Sequence, residues 1–87
     1  MPTLSLPPET KELTERFFSA LNTLSQQKVI RGKATFVKKY GLDLRNFYKV
    51  RENKICLKPE WIVYLVRDYN VFAEWLMLGR GGMFNSI

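Results

Sequence analysis

The segment from Gly32 to Asn53, GKATFVKKYGLDLRNFYKVREN, constrains the fold more than any other part of the chain. Apolar residues recur at helical spacing on both sides of Gly41-Leu42-Asp43. Glycine leaves a helix in the left-handed conformation without a Cβ clash, and aspartate is a strong cap for a following helix. Two short helices are therefore expected, Lys33 to Tyr40 and Leu44 to Glu52, joined so tightly that they must cross at a steep angle. Leu42 before the cap and Phe47 inside the second helix have the spacing of a hydrophobic staple, which fixes the entry angle.

Each helix of the pair has two faces. Phe36, Val37 and Tyr40 form the inner side of the first, and Phe47 and Val50 that of the second. Arg45, Asn46 and Lys49 share the opposite, donor-rich face at spacings of one, three and four. A helix pair of this shape can push its second helix into a groove, and the charge points to a groove walled by phosphates. Residues 28–58 hold ten basic side chains against Asp43 and Glu52, a net +8, whereas the rest of the chain sums to −2. A basic centre between near-neutral flanks is the footprint of an anionic partner. The bland alternative is a solvated lysine-rich surface.

The remaining segments read as helices too. Pro7 and Pro8 suit the start of a first helix reaching Gln27, with Leu13, Phe17, Leu21 and Leu24 as its apolar stripe and Phe18 and Ala20 widening it. Glu9, Glu12 and Glu15 complement its positive end. Residues 52–58 form a linker whose Ile55-Cys56-Leu57 run tucks partly under the core. Pro59 opens a fourth helix with Trp61, Ile62, Leu65, Val66 and Tyr69 as core, and Asn70 provides its left-handed exit. A short fifth helix runs from Phe72 to Leu78 and stops at Gly79. Val29-Ile30 and Ile55 to Leu57 are too short to count as strands. The expected fold is all-α, a compact five-helix bundle forming a single domain over residues 1–87. Residues 1–7 are read as an extended arm and 80–87 as an irregular, glycine-rich tail.

Several chemistries are excluded by inventory. The chain has no histidine and one cysteine, so a Ser-His-Asp or Cys-His site, a His-containing zinc site, a Cys-only zinc site and an internal disulfide cannot be built from it. The acidic residues are scattered, and Gly79, Gly81 and Gly82 follow a helix instead of opening one, so they are no phosphate-cradling loop. Cys56, although flanked by Lys54 and Lys58, is read as a small semi-buried hydrophobe. No enzymatic activity, cofactor, metal or small-molecule ligand is expected. No apolar run approaches the roughly 20 residues that span a bilayer. The first ten residues lack the pattern of an export signal, and the lone cysteine fits a reducing cytoplasm.

With these elements placed, the chain resembles the Cro/C1-type (Xre) helix-turn-helix family of phage repressors and bacterial regulators. The likeness rests on Lys33, Phe36, Tyr40, Gly41, Leu42 and Asp43, followed by DLRNFYKVREN over the family's recognition helix. A second part, YLVRDYNVFAEWLMLGRGGMF, is similar to an ending found in many members, and the two together cover about residues 28–84. Departures are Lys33 where glutamine is frequent, Val37 for a small residue, Phe72 for a serine cap and Leu78 for a polar residue.

The resemblance implies a lambda-repressor-like bundle that binds double-stranded DNA in sequence-specific fashion and regulates transcription. It implies a bacterial or phage-encoded protein acting at the nucleoid. Arg45 is the first candidate for a base contact, since guanidinium pairs bidentately with guanine O6 and N7. Asn46 suits adenine or a phosphate, Lys49 a guanine edge or a phosphate, and Leu44 a thymine methyl. Lys33, with the amides that open the second helix, would hold one phosphate; Arg31, Lys38, Arg51 and Lys54 are candidates for others. Tyr48 is assigned to either DNA or packing. Phe72, Leu78, Met83, Phe84 and Ile87 form an apolar surplus that would bury against a second copy, giving a homodimer. The competing expectation is a protein-interaction module, a dimerising cofactor or antitoxin-like partner, that keeps the fold without specific DNA binding. Non-specific nucleic-acid binding, RNA included, ranks below both because most aromatic residues lie on core stripes.

Overall fold

The computed structural model describes residues 6–85; the first five residues of the expected arm, and Ile87 of the expected apolar patch, lie outside them. Five helices follow one another: α1 (Pro8–Gln26), α2 (Lys33–Lys39), α3 (Leu44–Arg51), α4 (Pro59–Tyr69) and α5 (Ala73–Leu78). Every boundary falls within one residue of the expected one. No strand forms among the described residues, and Val71 and Phe84 make an isolated antiparallel bridge.

α1 is the spine of the bundle and packs against α2, α3 and α5. Its stripe is buried as the spacing predicts: Phe17, Ala20, Leu21 and Leu24 are closed off from solvent, while Leu13 is half-buried at the rim. Four aromatic rings close a circuit through three helices. Phe17 meets Phe18 edge-on at 5.1 Å, Phe18 meets Phe47 of α3 at 5.2 Å, Phe47 lies 5.7 Å from Trp61 of α4, and Trp61 returns to Phe17 at 6.0 Å. Such pairs add about 0.5–1.5 kcal/mol each beyond their burial, which matters in a domain too small for a large aliphatic core. Ile62, Val66 and Tyr69 are half-buried where the periodicity places them in the core; α4 spreads its apolar residues over a wider arc than the bundle covers.

α1, α2 and α3 all end in the same way. The N–H two residues past the cap reaches back five residues, Val29 to Leu24, Leu42 to Val37 and Lys54 to Lys49, at 2.8–2.9 Å. The residue between is left-handed each time: Lys28 at φ 62°, Gly41 at 63° and Asn53 at 61°. This satisfies carbonyls that the helix end leaves open. Glycine stands at one of the three positions, which is why only Gly41 is conspicuous in the sequence.

Three features correct the sequence reading. The tail is not irregular throughout: Phe72 N–H donates to the Met83 carbonyl at 2.8 Å, Asn85 N–H to the Asn70 carbonyl at 3.1 Å, and the Asn85 amide to Asn70 Oδ1 at 2.9 Å. Phe72 lies over Gly81 so closely that a Cβ there would sit 3.0 Å from its ring. Cys56 is exposed and not semi-buried, because Ile55 and Leu57 turn inward on either side of it. Tyr40 is half-buried, its hydroxyl directed at Asp68 of α4.

Candidate nucleic-acid interface

α3 is fixed at both ends and from behind. At its start Asp43 Oδ1 accepts hydrogen bonds from the backbone N–H groups of Arg45 at 2.8 Å and Asn46 at 3.4 Å. At its end lies the left-handed turn through Asn53. Behind it, Phe47 and Val50 are 1% and 0% exposed against α1 and α4. Helix geometry then turns the other face to solvent. Leu44, Arg45, Tyr48 and Lys49 are exposed along it, and Arg51 is exposed at the flank toward α1. Asn46 belongs to the edge of that face: it is half-buried and, with Lys58, Glu60, Trp61 and the Gly41 to Asp43 turn, lines a shallow crevice of about 230 Å³.

The basic residues divide by what they touch. Lys28, Arg31, Lys38, Arg45, Lys49, Arg51 and Lys58 are exposed, and their side chains make no ion pair or hydrogen bond among the described residues. Lys54 sits 3.3 Å from Glu52 in a solvent-exposed pair; such pairs contribute at most about 1 kcal/mol, so Lys54 remains available to an anion. Lys33 is committed differently, its ammonium donating to Asn22 Oδ1 at 2.7 Å and tying α2 to α1. Lys39 lies over the rings of Tyr40 and Tyr69 at 5.4 and 5.1 Å. Spacing had singled out neither Lys58, which the fold brings beside Asn46, nor the outward placement of Tyr48.

A polar and aromatic cluster holds the end of α2 against α4. The rings of Tyr40 and Tyr64 stack in parallel at 4.0 Å. The Tyr40 hydroxyl donates to Asp68, whose carboxylate also accepts from Arg67 at 2.8 and 2.9 Å. These bonds, the guanidinium's first and the phenol's second, hold the Asp68 carboxyl well below the usual carboxylate range. Burial, and then the bond to Asp68, pushes the Tyr40 phenol above its ordinary value. The groups satisfy one another, so the cluster braces α2 against α4.

On α5, Met77 and Leu78 are exposed, whereas Phe72, Met83 and Phe84 are half-buried, the last two against the core. The expected apolar surplus is thus partly used within the chain. Among the described residues no three His, Cys, Asp or Glu gather as metal ligands, and no helix is long and apolar enough to cross a membrane. No family model, curated protein or solved structure compared with the chain matches it. The resemblance to Cro/C1-type proteins therefore rests on the residues quoted for it.

Proposed function

We propose that this chain is a sequence-specific double-stranded DNA-binding protein and a repressor-like regulator of transcription, with α2 and α3 as a helix-turn-helix of the Cro/C1-type (Xre), lambda-repressor-like kind. One observation carries the reading. The exposed face of α3 presents Arg45 and Lys49, with Arg51 at the flank toward α1, on a helix whose inner face is buried by Phe47 and Val50 and whose start is capped by Asp43. A rigid, cationic, donor-bearing helix face suits the major groove, where phosphates supply affinity and base edges supply specificity. In this reading Arg45 takes a guanine, Lys49 a guanine edge or a phosphate, and Asn46 an adenine or a phosphate at the edge of the contact. Arg31, Lys38, Arg51, Lys54 and Lys58 take phosphates. Lys33 contributes mainly by anchoring α2 to α1, and reaches DNA only by giving up Asn22. Two copies would join through α5, matching a palindromic site, in the cytoplasm of a bacterium.

The second reading, a protein-interaction module without specific DNA binding, is favoured by Met77 and Leu78 side by side on the surface. Charge reversal separates the two. Arg45→Glu with Lys49→Glu should abolish binding to duplex DNA, measured by fluorescence anisotropy, and leave self-association intact. Leu78→Asp should do the reverse to self-association. A chain whose duplex binding is indifferent to the first pair of changes is not reading DNA with α3. If about six phosphates are neutralised, log K against log salt should fall with a slope near −5.

A further inference from the structure

A groove of about 300 Å³ runs between the middle of α1 and the end of α3. Glu15, Phe18, Ser19 and Asn22 form its α1 side, at the three- and four-residue spacings that share one helix face. Arg51 and Asn53 form the α3 side. The volume is at the lower end of the range for small-molecule sites. At about 30 Å³ per water-sized group it holds about ten non-hydrogen atoms. Spacing along the sequence points to no ligand here, because the two walls belong to separate helices.

The lining is chemically unfinished. Glu15 and Arg51 bring opposite charges to one groove, yet they form no ion pair with each other, and neither side chain hydrogen-bonds elsewhere among the described residues. Asn22 Oδ1 accepts from the Lys33 ammonium at 2.7 Å, which leaves the Asn22 amide hydrogens to donate. Asn53 Oδ1 is shut off from solvent and has no hydrogen-bond partner. A buried acceptor in that state is costly, and a donor that reaches it is favoured. The last torsion of an asparagine side chain is broad, so turning the carboxamide presents this oxygen to the groove. Phe18, 9% exposed, supplies an apolar floor. Water is the default occupant of such a space; what distinguishes this one is a pair of opposite charges held apart on its two walls.

We propose that the groove binds a small zwitterion of the α-amino acid class. The ligand ammonium donates to the Glu15 carboxylate and to Asn53 Oδ1. Its carboxylate accepts from the Arg51 guanidinium, whose fork matches a carboxylate, and from the Asn22 amide. A short apolar side chain rests on Phe18.

The test uses the full chain, labelled with nitrogen-15, and the common L-amino acids added singly at about 10 mM, where a millimolar site fills. At least one should shift the backbone amides of Glu15, Ser19, Asn22 and Asn53 while leaving those of α5 in place. A Kd of about 1 mM is expected of so small a ligand. Removing either charge from that amino acid, as its primary amide or its N-acetyl form, should weaken binding about tenfold. Glu15→Gln should erase the preference for the free amine over the N-acetyl form, and Arg51→Gln the preference for the acid over the amide. Both residues are exposed, so helix content by circular dichroism should not change. Asn53→Gly keeps the left-handed turn and should weaken the parent ligand. No amino acid that moves these amides overturns the proposal. Binding indifferent to the loss of either ligand charge overturns it too, as does a charge preference that survives both substitutions. None of these readouts involves DNA, so the DNA-binding reading stands or falls separately.

Discussion

The Asp43 carboxylate accepts the backbone N–H of Arg45 at 2.8 Å, so the residue that caps α3 also fixes the backbone from which the exposed Arg45 side chain projects. A cap of this kind contributes about 1 kcal/mol. Asp43→Ala should lower unfolding free energy by about that amount, read from the midpoint of a urea titration with unchanged slope. It should also weaken specific DNA binding more than non-specific binding, because fraying of the first turn misplaces Arg45 and Leu44 first. Asp43→Asn keeps an acceptor and should behave nearly as the parent. Equal stability of all three would mean that the cap does not hold α3.

Features set by local chemistry were legible in the sequence. Gly41 and Asn70 in left-handed turns, Asp43 as a cap, proline at the first position of α1 and α4, and the Phe17 stripe all follow from rules spanning one or two helical turns. Features that depend on which helices meet were not. Arg16 reaches 60 residues along the chain to the Leu76 carbonyl, Lys33 turns to Asn22, and Asn85 returns to Asn70. Nothing in the spacing of a lysine tells whether its ammonium will face solvent or a neighbouring amide. The outward face of α3 was half legible: its period places Arg45 and Lys49 opposite Phe47 and Val50 and Tyr48 in line with Leu44, but spacing does not say whether another element covers an aromatic ring placed there. The functional roles of these residues remain a proposal that the geometry supports.

Asn53 ends α3 at φ 61°, a conformation that costs an L-residue roughly 1–2 kcal/mol, though less for asparagine. Asn53→Gly should therefore stabilise the chain, by up to about 1 kcal/mol once the greater freedom of glycine in the unfolded state is subtracted. A raised denaturation midpoint checks this; a lowered one would show that the Asn53 side chain contributes more than its backbone costs.

Arg16 ties α5 to α1. Its Nε donates to the Leu76 carbonyl at 2.8 Å and its Nη2 to the Met77 carbonyl at 3.0 Å, at the end of a six-residue helix that could not stand alone. Arg16→Met keeps the aliphatic stem and removes both bonds. A loss of about 1–3 kcal/mol is expected, together with faster amide exchange in α5 than elsewhere. Uniform exchange would mean that α5 is held by Leu76 packing alone.

Acid should find the brace between α2 and α4. The Asp68 carboxyl titrates below its unfolded value of about 3.9, so its contribution is present above that pH and is lost as pH falls beneath it. The melting temperature of the parent should drop more steeply below about pH 4 than that of Asp68→Asn, which has no carboxylate to protonate. Solvent screening keeps the difference modest. Parallel curves for the two proteins would show that the Arg67 and Tyr40 bonds carry no pH-dependent stability.

The most direct measurement is selection from random duplex DNA at about 0.15 M salt, where non-specific contacts are weakened, with the parent chain and Arg45→Ala side by side. The account predicts an enriched, palindromic motif for the parent. For the variant it predicts a loss of about 1–3 kcal/mol and relaxed preference at one base pair of each half-site. A folded parent that enriches nothing would contradict the account, as would a variant that selects the same motif with undiminished preference.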